Sequence, residues 1–289
     1  MKRRKIPMKQ ILLSAGSAAL AAALLCSCVP FQIASKVLDE SNQVIGQDLE
    51  DIADSIQASQ EVQISGLTRR TYTASQNITG LDVESQDAAI RIETADVSQV
   101  EVEYVEPSDQ TLYRFWVEGS TLKIEKRGQS NGNRSEVETS MKITLPAGAY
   151  QEIEIRGTNS GVKIQDVEVQ SLELENSNSS VSLSGLTVGE LSGEVKNGGV
   201  KVSDTSARKI ELELSNGSIA FDNAQADDYE CEVSNGTISG TLAGREEDYN
   251  IRTSVGMGSN NLPSSTKTGA GKSIEFHVDN GSIKVQFAG

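Results

Sequence analysis

Histidine and cysteine are nearly absent from this chain of 289 residues, which has one histidine, His277, and three cysteines, Cys26, Cys28 and Cys231. A single imidazole cannot build a zinc site, and one cysteine in the body of the chain leaves neither a Cys/His nucleophile pair nor an internal disulfide. Aromatic residues make up 4% of the chain, and Trp116 is the only tryptophan. A sugar-processing cleft with stacking platforms has little to be made from. Gly-rich text at Val255–Ser259 lacks the Lys-Ser/Thr of a phosphate loop and reads as a turn. The expectation is a protein that is not an enzyme and holds no cofactor, with Cys231 an inert buried thiol and His277 an exposed bystander.

Charge is unevenly distributed. Against 41 acidic residues stand 26 basic ones, and five of these (Lys2, Arg3, Arg4, Lys5, Lys9) fall within the first ten positions, where no acid occurs. An apolar run, Ile11–Leu25, follows. This is the layout of a secretory signal, too short and wrongly flanked for a spanning helix. Its end, Leu25-Cys26-Ser27-Cys28, resembles the bacterial lipobox, with Leu at −3 and a small residue at −1, although Cys26 departs from the usual residue at −2. The resemblance implies cleavage after residue 27, lipidation of Cys28 and retention on the outer face of the membrane, where two or three acyl chains give stable anchoring. The remaining chain is strongly acidic, which argues against nucleic acid and against electrostatic adsorption to anionic lipid.

Residues 28–80 read as anchor, tether and an amphipathic helix. Pro30–Ser35 is the tether. Between Lys36 and Ser59, Leu38, Val44, Ile45, Leu49, Ile52 and Ile56 recur at helical spacing, interrupted by Gly46. Such a helix suits a stalk or a cap for the domain that follows.

From Ile153 to Gly240 the text repeats every 19 residues, marked by Asn159, Asn178, Asn197, Asn216 and Asn235. Relative to each asparagine, positions −6 and −4 are mostly apolar, as are +3 and +5. Two alternating runs split by a Gly/Asn/Ser turn read as short strands with one buried face, and the change of parity marks a corner. A fixed short period is the signature of a solenoid whose coils bury their apolar rows against one another. Asn-Gly is also a strong hairpin signal, so an antiparallel β-sandwich is the alternative. Four identical intervals favour the solenoid, which is sensitive to coil length. Leu81–Ile92 resembles a further copy with Asp87 in the asparagine slot, Thr121–Glu125 pairs with Leu112–Val117 as a hairpin through Glu118-Gly119, Tyr249–Leu262 is a degraded copy, and Ile274–Phe287 is a clean one around Asn280. The fold expected is all-β, a single parallel β-solenoid over residues 81–289 with coils of about 19 residues.

The copy IEFHVDNGSIKVQF, the stretch MKITLP and the recurring NG-[ST]-I units resemble the bacterial "putative adhesin" family of β-strand-repeat domains, a domain of unknown function. The resemblance covers Leu81–Phe287. It implies an extracytoplasmic β-rich domain, often tethered to the envelope, and carries over no site residues.

Two rows of side chains are candidate features. The asparagines, with Asn280, are expected to stack as a turn ladder of side-chain amides. At position −3, Glu175, Glu194, Glu213 and Glu232 would form an outward carboxylate column, either a solvated face or a row relieved by a hard cation. The function expected is non-catalytic: a lipid-anchored surface protein for adhesion or for binding a glycan or protein at the envelope. An envelope scaffold or stress sensor is the alternative, and a carbohydrate-active β-helix enzyme a remoter one.

Overall fold

The alternation in each repeat becomes strand because every second side chain of an extended chain points to the same side, and burying that side returns roughly 1.5–3 kcal/mol per Val, Leu or Ile. A computed structural model describes residues 67–127 and 139–289. The signal, the lipidation cysteine Cys28, the amphipathic stretch and the polar loop before Thr139 lie outside the described residues. Seven strands precede the regular repeats: β1 (Leu67–Thr73), β2 (Gly80–Gln86), β3 (Ala88–Ala95), β4 (Glu101–Pro107), β5 (Tyr113–Glu118), β6 (Thr121–Lys126) and β7 (Thr139–Pro146). The repeats form β8 (Ala149–Thr158), β9 (Val162–Gln165), β10 (Glu168–Ser177), β11 (Val181–Ser184), β12 (Thr187–Asn197), β13 (Val200–Ser203) and β14 (Ser206–Leu242). β15 (Tyr249–Asn260) and β16 (Lys272–Phe287) close the chain, and the one helical element among the described residues is a 3-10 turn at Glu246–Asp248.

All sixteen strands belong to one large mixed sheet that winds on itself, giving a solenoid-like, all-β body. The repeats pair in parallel. Leu172 lies beside Ile153 on one side and Leu191 on the other, and Val181 lies beside Val162 and Val200. The buried set changes parity three times per coil: Leu172/Leu174, then Val181/Leu183, then Leu186/Val188. Some changes fall between strands and others within one, as between Val169 and Leu172 of β10, and the inward residues share a single apolar core. The antiparallel pairing of a sandwich is confined, among the named strands, to β1–β4, β4–β7 and β5–β6 at one end.

Both ends depart from chain order. β2 lies against β8 and β3 against β9, while β6 and β7 stack outside them. This end is closed by aromatic rings: Tyr72 stacks on Phe115 at 4.6 Å, and Tyr104 lies 4.7 Å from Tyr113. At the far end β16, the last strand in the chain, sits between β14 and β15. The chain therefore lays down its outermost coil first and fills the gap behind it.

Candidate functional site

The strand before each asparagine corner presents an outward face, because its −6 and −4 residues are committed to the core. Ile153, Ile155, Leu172, Leu174, Ile210, Leu212, Tyr229 and Cys231 are all buried. Between them the outward residues fall into rows set by the parallel register. One row runs Glu84, Arg156, Glu175, Glu194, Glu213, with Glu232, His277 and Ser254 in register beyond. The four expected glutamates are exposed and stacked, one per rung, at about 4.8 Å. Glu213 shows the cost: burial first, then the charges of Glu232 and Glu194, push its carboxyl above the ordinary value.

The flanking cations are already engaged. Arg156 donates to Asp82 Oδ1 at 2.6 Å and contacts Glu154, and Lys123 meets the other oxygen of Asp82 at 2.8 Å. Lys209 lies 2.6 Å from Glu211 and 2.9 Å from Glu230; burial opposes its charge, but these two partners outweigh it and raise its pKa. Among the described residues no group of three or more His, Cys, Asp and Glu side chains is arranged to hold a metal ion. The carboxylates form a file rather than a cluster. Near the Arg156 end lies a shallow polar groove of about 220 Å³, whose lining includes Glu84, Arg156, Thr158, Glu175, Ser177 and Lys196.

The asparagine ladder borders this face. Asn178 Nδ2 donates to Asn159 Oδ1 at 3.1 Å, Asn197 to Asn178 at 2.8 Å, Asn216 to Asn197 at 3.0 Å, Asn235 to Asn216 at 3.1 Å and Asn280 to Asn235 at 3.1 Å. Two backbone solutions share the ladder. Asp87, Asn159 and Asn178 take left-handed φ values of 55°, 52° and 60°, whereas Asn197, Asn216, Asn235 and Asn280 are each followed by a glycine at φ near +150°. Those glycines have no room for a side chain: a Cβ on Gly217 would stand 1.6 Å from the Gly198 carbonyl oxygen.

Sequence reasoning missed the second corner. Asp166, Gly185, Asp204 and Asn223 all have positive φ, and Asn223 Nδ2 donates to Asp204 Oδ1 at 2.8 Å. Its signal was present in the sequence, since these four residues also recur at 19-residue spacing. Cys231 is buried opposite Phe276, and burial pushes its thiol far above the usual range. His277 is outward, as expected, but it has partners: Ser254 Oγ lies 2.6 Å from its Nδ1, and Asp279 Oδ1 lies 2.9 Å from its Nε2. Trp116 stands outside the regular coils with the Arg114 guanidinium 4.8 Å over its ring.

A family model, Toastrack DUF4097, matches residues 78–288. No curated protein matches the chain. Among solved structures the chain is similar to a "putative adhesin" of Bacteroides fragilis, at 17% identity and a TM-score of 0.49, over 77% of this chain and 98% of that one. A "putative lipid binding protein" of Parabacteroides distasonis is similar at 15% identity and a TM-score of 0.46, over 77% and 98%. A "putative cell adhesion protein" of Clostridium sporogenes is similar at 16% identity and a TM-score of 0.34, over 76% and 99%.

Proposed function

We propose, for a chain that belongs to the Toastrack DUF4097 family, a parallel β-solenoid that is lipid-anchored through Cys28 on the outer face of the membrane and serves adhesion or envelope binding. The ladder-bordered outward face carries this reading. Rows of side chains in fixed register give a partner a rigid surface whose ordering entropy was paid on folding, so little is lost when an extended ligand settles along it. The lipobox-like Leu25–Cys28 and the acidic balance of the chain support an envelope location without nucleic acid. The ligand expected is a surface glycan or protein that lies across the strands.

The test is a pull-down with the soluble chain from Val29 onward against host mucin and matrix proteins, a glycan panel and the producer's own cell wall. Saturable retention on a host component or glycan supports the adhesive role. Retention on cell wall or envelope proteins alone replaces it with a scaffold or sensor, and retention on none of them sinks the binding role.

A further inference from the structure

The terminal coils place a serine, an imidazole and a carboxylate within hydrogen-bonding contact on one outward face. Ser254 of β15 stands in register with His277 of β16, and its Oγ is 2.6 Å from His277 Nδ1. His277 Nε2 is 2.9 Å from Asp279 Oδ1. A carboxylate can only accept, so the tautomer with hydrogen on Nε2 satisfies Asp279 and leaves the Nδ1 lone pair to take the Ser254 hydroxyl proton. Nucleophile, base and orienting group within hydrogen-bond reach of one another are the minimum for an activated serine.

The strand edge supplies the remaining part. Ile251 and Thr253 turn their N–H groups away from β16, to Ser265 O at 2.8 Å and Ser264 Oγ at 2.9 Å. Val255 has the same parity, so its N–H faces that edge and, next in the chain to the serine, is the backbone donor within reach of a tetrahedral oxyanion. Gly256 and Gly258 let β15 lie close to the strand that carries His277, since a Cβ there would stand 2.6 Å from the Asp279 carbonyl oxygen and 1.6 Å from that of Gly281.

We propose that Ser254, His277 and Asp279 form an acyl-ester hydrolysing site. Ser254 Oγ bonds to the ester carbonyl carbon as its proton passes to His277 Nδ1; the carbon–alkoxide bond breaks and the alkoxide leaves with that proton. Water then attacks the acyl carbon, gives a proton to Nδ1, and the Oγ–acyl bond breaks as Oγ is reprotonated, leaving a free acid. The substrate class is an exposed O-acyl ester, such as one on a sugar hydroxyl. A single backbone donor suits an ester, whose alkoxide departs readily, and does not suit an amide. Ser254 and His277 are the catalytic residues, and Asp279 is a positioning residue.

The full-length chain in detergent, treated with a fluorophosphonate, is expected to gain one adduct, mapped by peptide mass to Ser254 and missing in Ser254→Ala. His277→Gln should slow labelling on the order of a hundredfold, and Asp279→Asn should slow it while Asp279→Glu restores it. Hydrolysis of p-nitrophenyl acetate should follow the same order, with thermal melts unchanged across the set because all three side chains lie on the surface. No adduct at Ser254, equal labelling of other exposed serines, or a rate indifferent to His277→Gln overturns the proposal.

Discussion

Asn159 donates its side-chain Nδ2 to Asp87 Oδ1 at 2.8 Å, across a separation of 72 residues. This contact fixes the sense of the whole ladder. Asp87 can only accept, so Asn159 must offer its amide nitrogen and keep its oxygen for Asn178, and the same logic passes rung by rung to Asn280. The amide dipoles then align head to tail with their positive end at a carboxylate, an arrangement in which each bond polarises the next.

Removing one rung is expected to cost a modest, measurable amount. Asn197→Ala loses bonds to Asn178 and Asn216, and exposed partners can turn to water, so a loss of about 1–2 kcal/mol is expected by denaturant melts. Asn178→Ala should cost about 1 kcal/mol more, because its φ of 60° strains a residue with a Cβ and no local hydrogen bond. Equal losses at the two sites would contradict the two-backbone description of the corners.

Gly217→Ala is expected to be among the most damaging small changes, in the exceptional class of roughly 4 kcal/mol or more. The added Cβ meets a backbone carbonyl oxygen held in the next rung, which cannot rotate away. Gly271→Ala has nothing within 4 Å and should leave the melting temperature unchanged.

The phase of the coils is tested by neighbours in one strand. Val200 is 1% exposed, while Lys201 faces outward with Asp222 at 3.7 Å. Val200→Asp buries an unpaired charge and should unfold the domain. Lys201→Asp should shift stability by no more than about 0.5 kcal/mol.

Glutamates of opposite environment should respond to pH in opposite senses. Glu213 has its folded pKa raised, so its ionised form is a burden above the ordinary value of 4.5, relieved as pH falls through the raised value. Glu213→Gln is therefore expected to be more stable than the parent at pH 7, by tenths of a kcal/mol up to about 1, with the gain vanishing in acid. Glu93 is held at 2.8 Å by both Arg91 and Lys142; burial alone would raise its pKa, but these cations lower it. Its contribution is present above pH 4.5 and lost as pH falls through the lowered value, so Glu93→Gln should be destabilising at pH 7 and neutral in strong acid. Melts across pH 3–8 read both.

Cys28→Ala should move the protein from the membrane fraction to the medium. Continued membrane retention of that variant would point to an uncleaved anchor and against lipidation of Cys28.

The sequence by itself determined an all-β repeat. A 19-residue period with apolar residues at −6, −4, +3 and +5 favoured stacked copies over a hairpin sandwich, and an asparagine at the same slot in each copy meets its neighbour when the copies stack in register. The copy around Asp87 was legible in the same phase, and the hairpin at Gly119 in its own alternating runs and turn. Three features were decided only by the tertiary structure. The insertion of β16 between β14 and β15 could not be read, because similar copies such as those around Asn235 and Asn280 pair as well out of chain order as in it; the loop between β15 and β16 and the edge-covering contacts of Ser264 and Ser265 with Ile251 and Thr253 accompany that order. The slot of Asp166, Gly185, Asp204 and Asn223 recurs every 19 residues in the sequence, but that it takes positive φ is decided by the structure, because the residue types filling it vary. His277 looked solitary because its serine lies 23 residues away in the chain. Only the parallel register of two coils brings Ser254 to its side, since strand pairing fixes neighbours by rung and not by distance along the chain.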